Sequence, residues 1–200
     1  MIRRILISAC LLLGMTGFAM AQDSMKVLAE KLSKGIASFD YSFATTGSDT
    51  PFAGDGKAVV AGQCYRIEGN GLDIRCDGAV RYTADPAAGE MVIESADGQT
   101  LDFLSNPALL LSDIGSNFKV LNLSREGGRE IYELSAVSEP SIKALTLILD
   151  KGLPVAAELH MKDGARVEFK VSNFCFTSSP SLWAFSQSEL SNYPNITDLR

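Results

Sequence analysis

The chain has 200 residues, 46% of them hydrophobic, and a formal charge of −6 at neutral pH. That is enough chain for one packed domain with at most an extension. An acidic balance without any long Lys/Arg run excludes the usual electrostatic footprint of a nucleic-acid binder and does not suit an anionic membrane surface.

Arg3 and Arg4 precede a mostly apolar run from Ile5 to Phe18, and Ala19-Met20-Ala21 has the small-x-small form of a cleavage site. The run is short for a membrane span and no stop-transfer segment follows it. Residues 1–21 are therefore expected to be a removed secretory signal, leaving one domain over 22–200 in an exported, periplasmic compartment. Ile7-Ser8-Ala9-Cys10 resembles a lipobox, but almost no apolar region precedes Cys10, so cleavage after Ala21 is preferred. Losing Arg3 and Arg4 moves the charge from −6 to −8.

From Asp23 to Phe39, apolar residues recur at Met25, Leu28, Leu32, Ile36 and Phe39, three or four apart. That spacing predicts an amphipathic helix docking one face on the body. From Tyr41 the period becomes two. Strands are expected at Asp40–Thr45, Lys57–Glu68, Leu72–Cys76, Ala79–Thr83, Glu90–Glu94, Phe118–Leu123, Glu130–Val137, Ile142–Leu149, Val155–Met161 and Arg166–Phe174. Asp77-Gly78, Asp85-Pro86, Gly127-Gly128, Lys151-Gly152 and Asp163-Gly164 punctuate them as turns. Asn106-Pro107-Ala108-Leu109-Leu110-Leu111 reads as a short, greasy helix with Pro in its first turn, following Phe103-Leu104. The stretch from Ser178 reads as a loop with a last strand or tail.

Export makes disulfides permissible, and Cys64, Cys76 and Cys175 remain after cleavage. If Asn70 is the middle of a three-residue hairpin loop, Cys64 faces Cys76 within bridging distance. A two-residue Asn70-Gly71 turn separates them and leaves two buried thiols. Cys175 has no evident partner. Farther on, keeping the apolar faces of the last hairpin together sets Leu159 opposite Phe169 and Met161 opposite Val167, with His160 beside Glu168 on the wet face.

His160 is the sole histidine, so a Ser-His-acid arrangement and a zinc site both lack the side chains they need. The acids sit mainly at turns or on polar strand faces, and no phosphate-cradling glycine loop is present. Asn122-Leu123-Ser124 and Asn195-Ile196-Thr197 match the glycosylation sequon, a weak signal alone. No enzyme signature, metal or cofactor is expected. What stands out is apolar excess on both faces of several strands, as in Leu145, Leu147 and Leu149 interleaved with Ala144 and Ile148. Such a sheet must be covered on both sides, by a plain two-layer core or by bending around a cavity.

The punctuation after Cys76 decides the preference. Asp77-Gly78, Tyr82 and Pro86 resemble the Asp-Gly, aromatic and Pro pattern of the bacterial outer-membrane lipoprotein carrier (LolA) family. Tyr82 stands where that family has Trp, and Ala84 replaces a second aromatic. The order of signal, first helix, Pro-Leu-rich insertion, paired strands ending Leu153-Pro154 and Asp163-Gly164, and a Val171-Ser172-Asn173-Phe174 strand is similar too. The resemblance implies an α+β fold, mainly antiparallel: a strongly curved, incomplete β-barrel covered by the N-terminal helix and a short lid helix.

It further implies a monomeric carrier without cofactor. Such a carrier takes acylated lipoproteins from an inner-membrane ABC release complex to an outer-membrane acceptor. Tyr65, Ile74, Tyr82, Val92, Phe103, Leu121, Leu147, Leu159 and Phe169 are candidate walls of the acyl cavity. Leu109, Leu110 and Ile114 are the lid contacts. The family's lid-latching arginine lies on a strand before the Asp-Gly, with Arg66 as candidate and a solvent-facing Arg66 as the alternative. Two rival functions stand beside this one: a lipid-sensing or protein-interaction module on the same fold, and a hydrolase using acids in a cleft.

Overall fold

The computed structural model describes residues 16–47, 51–96, 114–137, 141–178 and 182–200. In chain order the elements are α1 (Thr16–Lys34), β1 (Ile36–Thr46), β2 (Ala53–Ala61), β3 (Cys64–Gly69), β4 (Leu72–Cys76), β5 (Val80–Asp85), β6 (Glu90–Ser95) and α2 (Ile114–Asn117). They continue as β7 (Phe118–Glu126), β8 (Arg129–Ala136), β9 (Ile142–Asp150), β10 (Leu153–Met161), β11 (Arg166–Thr177), α3 (Gln187–Leu190) and β12 (Asn195–Asp198).

All twelve strands join one sheet, ordered β12-β6-β5-β4-β3-β2-β1-β11-β10-β9-β8-β7. The chain starts mid-sheet and builds one arm by hairpins out to β6. It restarts at the far edge with β7 and returns until β11 pairs with β1. The edges β7 and β12 do not pair, so the sheet stays open. Both arms nonetheless converge on one apolar cluster, with Tyr65 and Ile67 from one side and Leu147 and Leu159 from the other. The sheet is therefore curved, the incomplete antiparallel barrel expected from the sequence. The tail breaks the antiparallel rule, because β12 lies parallel to β6.

Helix α1 ends at Lys34, five residues before the expected Phe39. The Gly35 N–H still donates to the Lys31 carbonyl at 2.9 Å, closing the last turn. Beyond it Ala37, Phe39, Tyr41 and Phe43 alternate inward along β1. Phe39 fits both a helical stripe from Met25 and a period-two stripe to Phe43, which is why the helix was overextended. The expected single strand Lys57–Glu68 is two strands, β2 and β3, split at Gly62, whose φ of 59° turns the chain.

The β3–β4 hairpin turns on two residues, Asn70 and Gly71, with φ of 52° and 81°. Two consecutive positive values are the demand of a type I′ turn, which Asn-Gly meets at little cost. Tyr65 thus faces Cys76, and Ile67 faces Ile74. The three-residue loop is corrected, and with it the bridge: Cys64 and Cys76 are free thiols. Burial pushes both thiols above their ordinary pKa.

The β10–β11 hairpin keeps the expected apolar face but slides by two residues, so Leu159 faces Val167 and Ala157 faces Phe169. Its loop is set by Asp163, whose Oδ1 accepts from the Ala165 N–H at 2.9 Å, and by a Met161 N–H bond to the Ala165 carbonyl at 2.9 Å. His160 accordingly lies opposite Arg166, not Glu168. Its nearest carboxylate is Glu158, with Nε2 3.5 Å from Oε1.

Candidate functional site

The inward face can be followed rung by rung. Phe43 faces Phe169, Phe169 faces Ala157, Ala157 faces Leu147, and Leu147 faces Tyr132. Across the other arm, Ile67 faces Ile74, Ile74 faces Thr83, and Thr83 faces Val92. Of the nine expected wall residues, Tyr65, Leu147, Leu159 and Phe169 are buried together on this concave face. Ile74 packs against the same cluster, and Val92 shares its face half-buried.

Two others are corrected. Tyr82 faces Arg75 on the convex side, 5.9 Å from the Phe185 ring centroid. Its strand alternates the other way because Cys76, facing Tyr65, pairs with Arg81. Leu121 falls where a bulge interrupts β7 between Val120 and Asn122, and the extra residue turns Leu121 out to 65% exposure. Phe103, Leu109 and Leu110 lie outside the described residues. Ile114, the third expected lid contact, is buried against the concave cluster.

Helix α1 covers this face with Met25, Leu28 and Leu32. The concave surface is not apolar throughout. At its β5–β6 end Arg81 and Glu94 form an ion pair of 2.6 Å beside Tyr65. Burial, with the neighbouring Cys76 next, pushes the Tyr65 hydroxyl up to about 12. Tyr132 at the other end is likewise raised to about 12 by burial and then by the charge of Glu130, which accepts its hydroxyl at 3.1 Å. Both phenols stay neutral donors across the physiological range.

The expected latch is also corrected. Arg66 faces Arg75 on the convex side and pairs with Glu68 and with Asp73 at 3.1 Å, on the face opposite the concave cluster. The arginine that fastens something is Arg75, 4% exposed and the only buried charged residue among those described. Its guanidinium donates to Asp73 (2.8 Å), the Ala184 carbonyl (3.3 Å) and Glu189 (3.0 Å), and stacks 3.8 Å from the Phe185 ring centroid. Desolvation opposes its charge, and these carboxylates outweigh that to raise its pKa. Phe185 then joins Ala84, Met91 and Ile93 in a second core on the convex face.

Sequence reasoning missed this clasp, although Ser186 and Glu189 show the spacing of a capping box. That box is present at the start of α3.

A cleft of about 320 Å³ opens beside α1, lined by Ser24, Val27, Leu28 and Lys31 of the helix, Lys151, Gly152 and Leu153 of the β9–β10 hairpin, and Phe176 of β11. No group of three His, Cys, Asp or Glu among the described residues is placed to hold a metal ion. No helix among the described residues is long and apolar enough to cross a membrane.

No protein-family model and no curated protein matches this chain. Solved structures do resemble it in chain path. A LolA superfamily protein from Nitrosomonas europaea is 11% identical at a TM-score of 0.42, over 80% of this chain and 94% of that one. A DUF1329 family protein from Desulfovibrio piger is 12% identical at 0.44, over 85% and 98%. LprF from Mycobacterium bovis is 13% identical at 0.42, over 84% and 97%. These likenesses transfer no residue role to this chain.

Proposed function

We propose that this protein is an exported, periplasmic carrier that holds the acyl chains of lipoproteins, or of a similar lipid-like ligand, on the concave face beneath α1. The observation that carries the reading is how the concave face is covered. Among the described residues, an apolar surface contributed by both arms of an open sheet, interrupted by Arg81 and Glu94 at its β5–β6 end, is capped by helix α1 with three buried anchors, Met25, Leu28 and Leu32, and by Ile114 of α2. A second sheet would be hard to displace; a helical cover is not.

The magnitudes support an exchange. Burying three such side chains is worth roughly 1.5–3 kcal/mol each, or about 5–9 kcal/mol before the entropy of ordering the helix. An acyl chain of about sixteen carbons can offer roughly 13 kcal/mol for the same surface. Ligand and helix are thus comparable competitors, and the bound state is favoured without becoming irreversible. A carrier needs that balance, since cargo must be both taken up and released. Ile114, buried on the same cluster, adds a second covering contact, and handover between an inner-membrane release complex and an outer-membrane acceptor would require no chemistry from the chain.

The test is uptake. Purified protein is incubated with a triacylated lipopeptide, separated from free lipid and weighed intact by native mass spectrometry. Stoichiometric mass addition, lost on adding a charge to the wall by Leu147→Asp in a variant shown to fold, supports the reading. A protein that stays empty with lipopeptide in excess refutes it.

A further inference from the structure

The cleft beside α1 abuts the concave core through Leu28. Its floor, Leu28, is 3% exposed and belongs to the core cluster. From its rim, Phe176 meets Phe174 edge-on at 5.4 Å, and Phe174 stacks on Phe39 at 5.7 Å. Those three rings form an aromatic path from solvent to the middle of the sheet. Val27, Leu153 and Phe176 are 42%, 36% and 37% exposed, an apolar mouth open to water.

The rim carries a sign. Lys31 stands with Nζ 5.8 Å from the Phe176 ring centroid, and Lys151 occupies the facing turn at φ 51°. The described lining holds these two lysines and no carboxylate, in a chain whose net charge is −6. A slot lined by Val27, Leu28, Leu153 and Phe176 and carrying two lysines matches one ligand chemistry: an acyl chain ending in an anion. At about 320 Å³ it lies at the lower end of small-molecule sites, roughly 300–1,000 Å³, suited to one chain at a time.

We propose that this cleft is the port through which acyl chains enter, and that it selects an anionic head group, a carboxylate or a phosphate, by ion pairing to Lys31 and Lys151. The chain threads past Phe176 and Phe174 while the head remains at the wet rim, where its charge need not be desolvated. The proposal rests on the acyl-binding reading above and adds to it the place of entry and the charge of the head. Lys31 leaves the Phe176 face to meet the head, so the ring that it covers becomes the first apolar contact of the chain.

The experiment compares four ligands by calorimetry below their micelle concentrations: myristate, myristoyl lysophosphatidylglycerol, neutral monomyristoylglycerol and a triacylated lipopeptide. The anions are expected to bind about tenfold tighter than the neutral lipid, as two partly exposed ion pairs allow. The double variant Lys31→Glu/Lys151→Glu is expected to abolish that preference, weakening the anions far more than the neutral lipid. Whichever anion binds tighter identifies the head as carboxylate or phosphate. Equal binding of charged and neutral lipids, or a preference that survives in the double variant, overturns the port; lipopeptide binding in that case leaves the carrier reading intact. If neither the lipids nor the lipopeptide bind, the carrier reading falls together with the port.

Discussion

Replacing Arg75 by alanine cuts the clasp that holds the C-terminal segment on the convex face. The change removes bonds to the Ala184 carbonyl (3.3 Å) and Glu189 (3.0 Å) and the stack on Phe185 at 3.8 Å. It does not strand the carboxylates: Asp73 keeps Arg66 at 3.1 Å, and Glu189 keeps the Ser186 N–H at 2.8 Å. The loss is therefore that of the contacts themselves. Hydrogen bonds to a charged group contribute about 1.5 kcal/mol each and a desolvated cation–π contact about 1, so docking weakens by about 3–4 kcal/mol.

Hydrogen exchange reads this directly, because β12 is held by backbone bonds such as Asn195 N–H to Gly89 (3.3 Å) and Leu199 N–H to Ile93 (2.8 Å). Protection over residues 195–199 is expected to fall at least a hundredfold while that of β9 barely changes, since opening is local. Unchanged protection in β12 would refute the clasp. Equal loss in β9 and β12 would mean that Arg75 supports the whole fold instead.

Leu147→Ala, at a position with no exposure, is expected to cost about 2–5 kcal/mol in urea unfolding, whereas Leu121→Ala at 65% exposure stays within about 0.5; similar losses at both would contradict the register. A Cβ on Gly69 would lie 2.5 Å from the Asp55 carbonyl and 3.1 Å from the Tyr41 hydroxyl, so Gly69→Ala is expected to cost more than about 1 kcal/mol, and a neutral thermal shift would disprove the close approach. Bonds from the Ser186 N–H and hydroxyl, and then Arg75, hold the Glu189 carboxyl down at about 2 from its ordinary 4.5. A lowered value stabilises the folded form above 4.5, and that contribution disappears as pH falls toward 2. Trp183 emission should accordingly report a docked tail at pH 5 and its release near pH 2; release near pH 4.5 would contradict the assignment. A thiol reagent should modify exposed Cys175 in the folded protein and buried Cys76 only after unfolding, with thermal stability indifferent to reductant.

The architecture was legible because period-two runs and turn residues are local signals. The Asp77 carboxylate caps the Ala79 and Val80 N–H groups at 2.9 and 2.8 Å, and Asp85 does the same for Ala87 and Ala88. The distinctive Asp-Gly and Asp-Pro punctuation thus builds turns. Errors arose where one residue shifts everything after it. The Asn70-Gly71 turn took Cys64 out of register with Cys76 and set Arg66 opposite Arg75, and the β7 bulge turned Leu121 outward.

Face assignment failed at Tyr82 for the same reason, since β5 carries apolar residues on the face that the C-terminal segment covers. That cover is a contact across more than one hundred residues, Arg75 to Glu189, and no local pattern announces it. The four candidate wall residues that are buried together, Tyr65, Leu147, Leu159 and Phe169, lie on strands with one plainly apolar face.

The central claim is that acyl chains and α1 compete for one concave surface. Hydrogen exchange with and without a triacylated lipopeptide tests it most directly. If they compete, residues 24–30 lose protection on binding, while the last turn at Lys31, tied to β1 through Gly35, and strands β9 and β10 retain theirs. Lipopeptide that binds with α1 protection unchanged would place the ligand elsewhere and contradict the account.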